Sequence, residues 1–127
     1  MSLNWFQTGA VAAGLAVALG AFGAHGLKTR VTPDLLAIFE TGVRYHMYHA
    51  LALLAVAWLG ARGPGRWVTA SGWLFLAGIV LFPGSLYMMT LTGARWLGAI
   101  TPVGGTCFIL GWLALAVAAR ARSTPSP

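Results

Sequence analysis

The fold is decided by residues 6–27, which read FQTGAVAAGLAVALGAFGAHGL and contain no Asp, Glu, Lys or Arg. A helix of about 20 apolar residues crosses the hydrocarbon core of a bilayer. A cleaved signal peptide would begin with a positive charge and contain a shorter apolar run, whereas residues 1–5 hold no Lys or Arg. We therefore predict that this stretch is a retained transmembrane helix.

Three more apolar runs follow, separated by glycine, proline and charged residues. Thr32 and Pro33 predict the start of a second helix, because Thr suits the N-cap and Pro the first helical position. This helix would extend to about residue 59, a length of about 40 Å. Its first part, up to about Gly42, should therefore lie at the interface. The predicted spans are residues 6–27, 42–59, 67–91 and 97–119.

Pro83 and Gly84 interrupt the third apolar run. A proline inside a helix removes one backbone hydrogen bond and clashes with the preceding turn, so we expect a kink or break there. The predicted fold is all-α: a single integral membrane domain over residues 1–127. It is a four-helix bundle with the third helix kinked at Pro83, followed by a flexible tail at residues 123–127.

Composition indicates that lipid surrounds most of the chain. Of the 127 residues, 58% are hydrophobic and 8% are charged, whereas a soluble domain carries about 25% charged residues. The net charge of +6 could indicate nucleic-acid binding. However, the basic residues fall mostly between apolar runs, where they anchor helix ends. The bilayer is therefore an expected partner and nucleic acid is not.

The placement of basic and aromatic residues bears on orientation. Four spans put both termini and the 60–66 loop on one side of the membrane. Basic residues are almost equally numerous on the two sides, and the count narrowly favours cytoplasmic termini. The arginines on the terminal side are Arg62, Arg66, Arg120 and Arg122. Five tryptophans fit an interfacial aromatic belt: Trp5, Trp58, Trp67, Trp96 and Trp112.

Small residues recur at helical spacing in the first and fourth helices. Within lipid, the hydrophobic effect does not drive helices together, and van der Waals contact between backbones that approach closely at small residues contributes instead. We expect these two helices to make tight contacts, within one chain or between copies. The predicted packing positions are Gly9, Ala13 and Gly20 in the first helix, and Gly104 and Gly111 in the fourth.

A polar cluster is predicted around the start of the second span, because ionisable groups near a span are costly and point to function. Four-residue spacing would pair Glu40 with Arg44 and place Tyr45 and His49 on one face. His46 and His49, three apart, could share a ligand. The other members are expected at a similar depth: His25, Tyr48, Ser85 and Tyr87.

Three interpretations of this cluster remain open. Histidines three apart resemble a metal or haem site, although such a site needs more ligands than the chain offers. A His/Tyr/Glu relay could conduct protons or a small solute. A purely structural role would leave the tyrosines at the interface and His49 bonded to a backbone carbonyl, such as one freed by Pro83. No nucleophile–base pair or phosphate loop is visible, so we expect neither an enzyme nor a cofactor.

Four ordered motifs resemble one family of membrane proteins. They are GAFGAHGL at 20–27, RYHMYHAL at 44–51, FPGSLY at 82–87 and ITPVGG at 100–105. They resemble the small membrane proteins known as domain of unknown function 423, relatives of the eukaryotic transmembrane protein 256. The resemblance covers about residues 5–120. One departure is His46, a position that we associate with glutamine in the family.

The resemblance implies a four-helix protein of the bacterial cytoplasmic (inner) membrane, with no established activity. Its family-motif positions are His25, Arg44, Tyr45, Tyr48, His49, Ser85, Tyr87, Thr101 and Pro102. We predict a non-enzymatic protein that acts by association, as a homo-oligomer or as an accessory subunit of a larger membrane complex. The alternatives are a small-solute or proton transporter using His25, Arg44 and His49, and a haem- or metal-binding protein. A bound lipid is among the expected partners.

Overall fold

The computed structural model describes residues 3–123, and every regular element within them is a helix. The all-α class predicted from the sequence is therefore confirmed. A π-helical turn, Gly23–Leu27, extends the first α-helix, and a 3-10 helix, Arg95–Ala99, precedes the fourth. The α-helices are α1 (Trp5–Phe22), α2 (Pro33–Gly60), α3 (Arg66–Thr92) and α4 (Thr101–Ser123). Of the predicted tail, residues 124–127 lie outside the described residues.

Local sequence signals account for where the helices begin and end. Asn4 caps α1, because its side chain accepts a hydrogen bond of 3.1 Å from the backbone N–H of Gln7. Pro33 occupies the first turn of α2, as predicted. Gly93 ends α3 with φ +73°, a left-handed conformation that glycine adopts without a steric penalty.

Three helical segments are long and apolar enough to cross a membrane: Trp5–Leu27, Arg66–Thr92 and Arg95–Arg122. The first half of α2 carries Asp34, Glu40 and Arg44, which lowers its apolar character below that of the other three. Its second half, from about residue 45 to Gly60, contains no charged side chain.

Pro83 lies within α3 and is fully buried. The helix is continuous from Arg66 to Thr92, so the chain does not break at this proline. The backbone bond that Pro83 cannot donate leaves the carbonyl four residues earlier without its usual intrahelical donor. Whether the helix axis bends there stays a prediction.

Each helix packs mainly against its neighbour in sequence: α1 on α2, α2 on α3 and α3 on α4. The glycines lie where the backbones approach most closely. A Cβ on Gly9 would be 2.8 Å from the carbonyl oxygen of Ala50, and one on Gly104 would be 2.4 Å from the backbone nitrogen of Phe82. A Cβ on Gly20 or Gly111 would instead meet a side chain: Val43 of α2 at 3.3 Å, or Phe75 of α3 at 2.8 Å. The small residues of α1 and α4 thus serve different partners, and Ala13 is half-buried.

The core lies between α2, α3 and α4. Leu53, Val56 and Phe75 are fully buried there, and Phe108 is nearly so. This arrangement fixes the rotation of α2 about its own axis, and that rotation decides where the histidines of α2 point.

Candidate functional site

The two histidines of α2 face different neighbours. His46 points towards α3, where its Nδ1 lies 2.9 Å from the phenol oxygen of Tyr87. Its ring also lies close to the backbone of Ala12 in α1. Gly42 permits the contact with α3, since a Cβ there would lie 2.9 Å from Cε1 of Tyr87. His46 thus links three helices, and it does not share a ligand with His49.

His49 points towards α4 and uses both ring nitrogens. The indole N–H of Trp112 donates to Nε2 across 3.1 Å. Because an indole can only donate, Nε2 must be the acceptor, so the proton of the neutral ring resides on Nδ1. That N–H donates to the carbonyl of Tyr45 across 2.7 Å. The partner is a carbonyl of the same helix, not one released by Pro83.

Aromatic rings enclose His49. Its ring stacks on Phe108 with centroids 3.4 Å apart and planes inclined by 6°. Phe75 and Trp112 lie at tilted angles, with centroids 5.7 and 5.9 Å away. Tyr45, predicted to share its face, stacks at 6.2 Å. His49 is therefore a buried, fully paired group that joins α2 to α4.

Ser85 and Thr101 hold the start of α4 against α3. The hydroxyl of Ser85 donates to the carbonyl of Phe82 across 2.9 Å. The hydroxyls of Ser85 and Thr101 lie 2.6 Å apart, within hydrogen-bond distance, and the Thr101 hydroxyl also lies 3.5 Å from the carbonyl oxygen of Leu97. The predicted site residue Ser85 therefore has a place in helix packing, apart from His49.

The remaining members of the predicted cluster do not lie beside His49. His25 lies exposed in the π-helical turn after α1, and Glu40 and Arg44 are exposed on α2. The expected Glu40–Arg44 ion pair is wrong: the ion pair formed within the described residues joins Asp34 to Arg95, at 2.6 Å. Four-residue spacing permits a pair on an exposed helix face but does not require one, because such pairs contribute little.

The Asp34–Arg95 pair lies outside the membrane-spanning segments and links the start of α2 to the 3-10 helix. Hydrogen bonds from Arg95 and Thr32 lower the pKa of Asp34 to about 2. Both residues were predicted on the same side of the membrane, but 61 positions separate them in sequence. Sequence spacing alone gave no sign of this contact.

A cleft of about 540 Å³ opens beside His49, between α2 and α4. We call it the aromatic cleft. Phe82 of α3 contributes to its wall, and Tyr45 packs on that ring with centroids 4.6 Å apart. The lining residues are Tyr45, Tyr48, His49, Phe82, Gly105, Phe108, Ile109 and Trp112. Trp112, interpreted from the sequence as an interfacial belt residue, instead bonds to His49 in this wall.

A second cleft of about 470 Å³ lies between α1 and α3, and His46 lines it. Most of its other lining residues are apolar, including Val11, Leu15 and Ile79. Neither cleft brings together metal ligands: within residues 3–123, no group of three or more His, Cys, Asp or Glu side chains could hold a metal ion. Cys107 is a free thiol and half-buried.

Comparison with known proteins identifies relatives that are named as membrane proteins. The model of a family described as "Protein of unknown function (DUF423)" matches residues 19–105. The UPF0382 membrane protein YwdK of Bacillus subtilis is 55% identical over 113 residues, covering 87% of this chain and 91% of the relative. A UPF0382 membrane protein of Staphylococcus epidermidis is 47% identical over 110 residues, covering 87% and 89%. No solved structure matches the chain.

Proposed function

Because the chain belongs to the DUF423 family of multi-pass membrane proteins, we propose that it acts without catalysis, by associating with a second copy of itself in the bilayer. The observation that carries this proposal is a second row of small residues on α1. This row, the outer face of α1, faces away from α2. It consists of Ala10, Gly14, Ala18 and Ala21, all exposed.

The outer face has the spacing that membrane helices use to pair. Ala10, Gly14 and Ala18 are four residues apart, which aligns them along one side of a helix. Small residues at this spacing let two backbones approach closely enough for van der Waals contact. A Cβ on Gly14 would meet no atom within 4 Å, whereas one on Gly9, on the inner face, would collide with Ala50. Gly14 is therefore not explained by packing within the chain.

The outward side of α4 has a different character. Ile109, Leu113 and Val117 are exposed there, and large branched side chains are typical of a surface that contacts acyl chains. α1 also exposes large side chains beside its outer face, at Val11, Leu15 and Val17. The support for α1 therefore comes from the uninterrupted row of small residues on it. An accessory-subunit role would use the same face of α1 with a different chain.

The proposed topology places all four helices across the cytoplasmic membrane of a bacterium as one bundle, with both termini in the cytoplasm. The second span would begin near residue 42, where the charged part of α2 ends. A bend of α3 at Pro83 would be compatible with the burial of that residue. The basic residues on the side of the termini are Arg62, Arg66, Arg120 and Arg122, and those on the other side are Lys28, Arg30 and Arg95. This count narrowly favours the orientation.

A transport function is not proposed. Such a pathway would depend on His25, Arg44 and His49, but His25 and Arg44 are exposed and both nitrogens of His49 are already bonded. A haem or metal function is not proposed either, because His46 and His49 face different helices.

Disulfide cross-linking in native membranes tests the proposal. In a Cys107→Ser background, Gly14→Cys should form a covalent homodimer. Ile109→Cys is the matched control, because Ile109 is also exposed but lies on α4, in the lining of the aromatic cleft and not on the outer face of α1. The proposal predicts little cross-linking of the control. Equal dimer yields for the two variants would overturn it, as would cross-linking of Gly14→Cys exclusively to another protein, which would favour the accessory-subunit role.

A further inference from the structure

The aromatic cleft combines an apolar interior with free hydrogen-bonding groups at one end. Its volume of about 540 Å³ is within the range of small-molecule sites, about 300–1,000 Å³. The nitrogens of His49 are satisfied by Tyr45 and Trp112, so the deep wall offers no free polar group. An apolar chain is the kind of occupant that this wall suits.

Two phenol groups lie at the cleft without partners. Tyr45 and Tyr48 are 39% and 54% exposed, and their rings are in contact with centroids 5.9 Å apart. Within the described part of the chain, neither hydroxyl has a hydrogen-bond partner. A phenol hydroxyl can donate to an ester or phosphate oxygen. The hydroxyls therefore supply two donors beside an apolar cleft.

Arg44 and Glu40 continue this face of α2 outward from the cleft. Glu40, Arg44 and Tyr48 follow one another at four-residue intervals, so they form one row along the helix. Both charged side chains are exposed, and they form no ion pair with any described residue. From the cleft outward, the row therefore presents the phenol of Tyr48, then the cation of Arg44 and then the anion of Glu40.

The depth of this row matches the boundary of a bilayer. Arg44 lies about 24 Å along α2 from its end at Gly60, and Glu40 lies about 6 Å farther out. A hydrocarbon core about 30 Å thick that begins near Gly60 would therefore end near Glu40. Arg44 lies just inside this limit, where a long side chain extends towards the headgroups.

From this order of groups we propose that the aromatic cleft binds a phospholipid whose headgroup carries an ammonium group, as in phosphatidylethanolamine. Along such a lipid, the acyl chain, the ester oxygens, the phosphate and the ammonium follow one another in covalent order. The chain occupies the cleft, the phenols bond to the ester or phosphate oxygens, and Arg44 binds the phosphate. Glu40 binds the ammonium, which an anionic lipid such as phosphatidylglycerol lacks.

Native mass spectrometry of the purified full chain tests this assignment. The protein is mixed with equal amounts of palmitoyl-oleoyl phosphatidylethanolamine and palmitoyl-oleoyl phosphatidylglycerol, and the two adducts are compared. Because an exposed ion pair contributes up to about 1 kcal/mol, we expect the ethanolamine lipid to be preferred by about threefold to fivefold. Glu40→Gln should reduce the preference to about one. Arg44→Gln should weaken both adducts, by about fivefold for one interfacial cation.

Matched variants separate the site from general lipid adhesion. Arg30→Gln removes an exposed arginine from the connector between α1 and α2 and should leave both adducts unchanged. Ile109→Trp should fill the cleft and reduce binding, whereas Val103→Trp, at a similarly exposed position of α4 outside the cleft lining, should not. Thermal unfolding of Glu40→Gln and Arg44→Gln should match wild type, because neither side chain has a partner to lose.

Three results would overturn the assignment: equal binding of the two lipids by wild-type protein, a preference that survives Glu40→Gln, or equal effects of Arg44→Gln and Arg30→Gln. Recovery of a lipid without a phosphate from the wild-type cleft would also reject it. Monomeric protein with the expected lipid preference would contradict self-association through α1 but not lipid binding, since the two proposals rest on different faces.

Discussion

Removing the indole N–H of Trp112 should destabilise the contact between α2 and α4. Trp112→Phe keeps a ring beside Phe75, with which the indole makes an edge contact at 4.9 Å, but leaves Nε2 of His49 without a donor. An unsatisfied buried acceptor costs about 1–3 kcal/mol. Hydrogen bonds between membrane helices, however, couple by only about 0.6 kcal/mol on average and about 1.7 kcal/mol at most. We expect a coupling of about 0.6–1.7 kcal/mol.

A double-mutant cycle isolates this coupling. His49→Phe preserves a ring against Phe108 while leaving the indole unpaired, and the double variant carries neither orphaned group. The free energies of unfolding are measured in mixed micelles by circular dichroism. The double variant should be less destabilised than the sum of the two single variants. Trp96→Phe, at an exposed position of the 3-10 helix, should be additive with His49→Phe within about 0.5 kcal/mol. A similarly small coupling for Trp112 would refute the hydrogen bond and the tautomer derived from it.

Three further predictions concern other contacts. The pKa of Asp34 is about 2 in the folded protein against an ordinary value of 3.8, so its contribution to stability should be complete above pH 4 and lost between pH 4 and 2. Arg95→Gln should reduce the change in the free energy of unfolding across this pH range. An unchanged pH profile would argue against the ion pair. Gly104→Leu should destabilise the protein by about 1–3 kcal/mol or more, because the larger side chain overpacks against α3. Gly14→Leu, at an open position, should leave the thermal unfolding of the monomer unchanged. Equal losses of stability in the two variants would contradict the packing described. The free energy of unfolding of His46→Gln should stay within about 1 kcal/mol of wild type, because an amide can still form a hydrogen bond with the phenol of Tyr87. His46→Leu should lose about 1–3 kcal/mol. Equal midpoints for the two variants in chemical unfolding would count against the His46–Tyr87 hydrogen bond.

The helical class and the approximate helix ends were predictable from sequence. Apolar runs of this length favour helices in lipid, because every backbone polar group must be bonded within the segment. Pro33 and Gly93 mark one helix start and one helix end through their restricted or permissive backbone conformations. Burial of Pro83 without a break in α3 was less predictable, because it depends on how neighbouring helices pack against that turn.

The partners of the polar side chains were not predictable, because they depend on the rotation of each helix. His46 and His49 lie about 60° apart around the axis of α2, which is enough to direct one ring to α3 and the other to α4. Trp112 and His49 are 63 positions apart in sequence, and an indole in an apolar run resembles a belt residue. The close approaches expected of α1 and α4 are present at Gly9 and Gly104. Their partners, α2 and α3, were not predictable for a similar reason, because small residues specify a close approach without specifying the partner.

Counting subunits in a lipid bilayer tests most directly the proposal that the outer face of α1 joins two copies of the chain. Single-molecule photobleaching of labelled protein at low density in vesicles should show two steps for most wild-type particles. Gly14→Ile, which places a branched side chain at the centre of that face, should convert them to single steps without altering helicity. Single steps for the wild-type protein, or two steps for both proteins, would contradict the proposal.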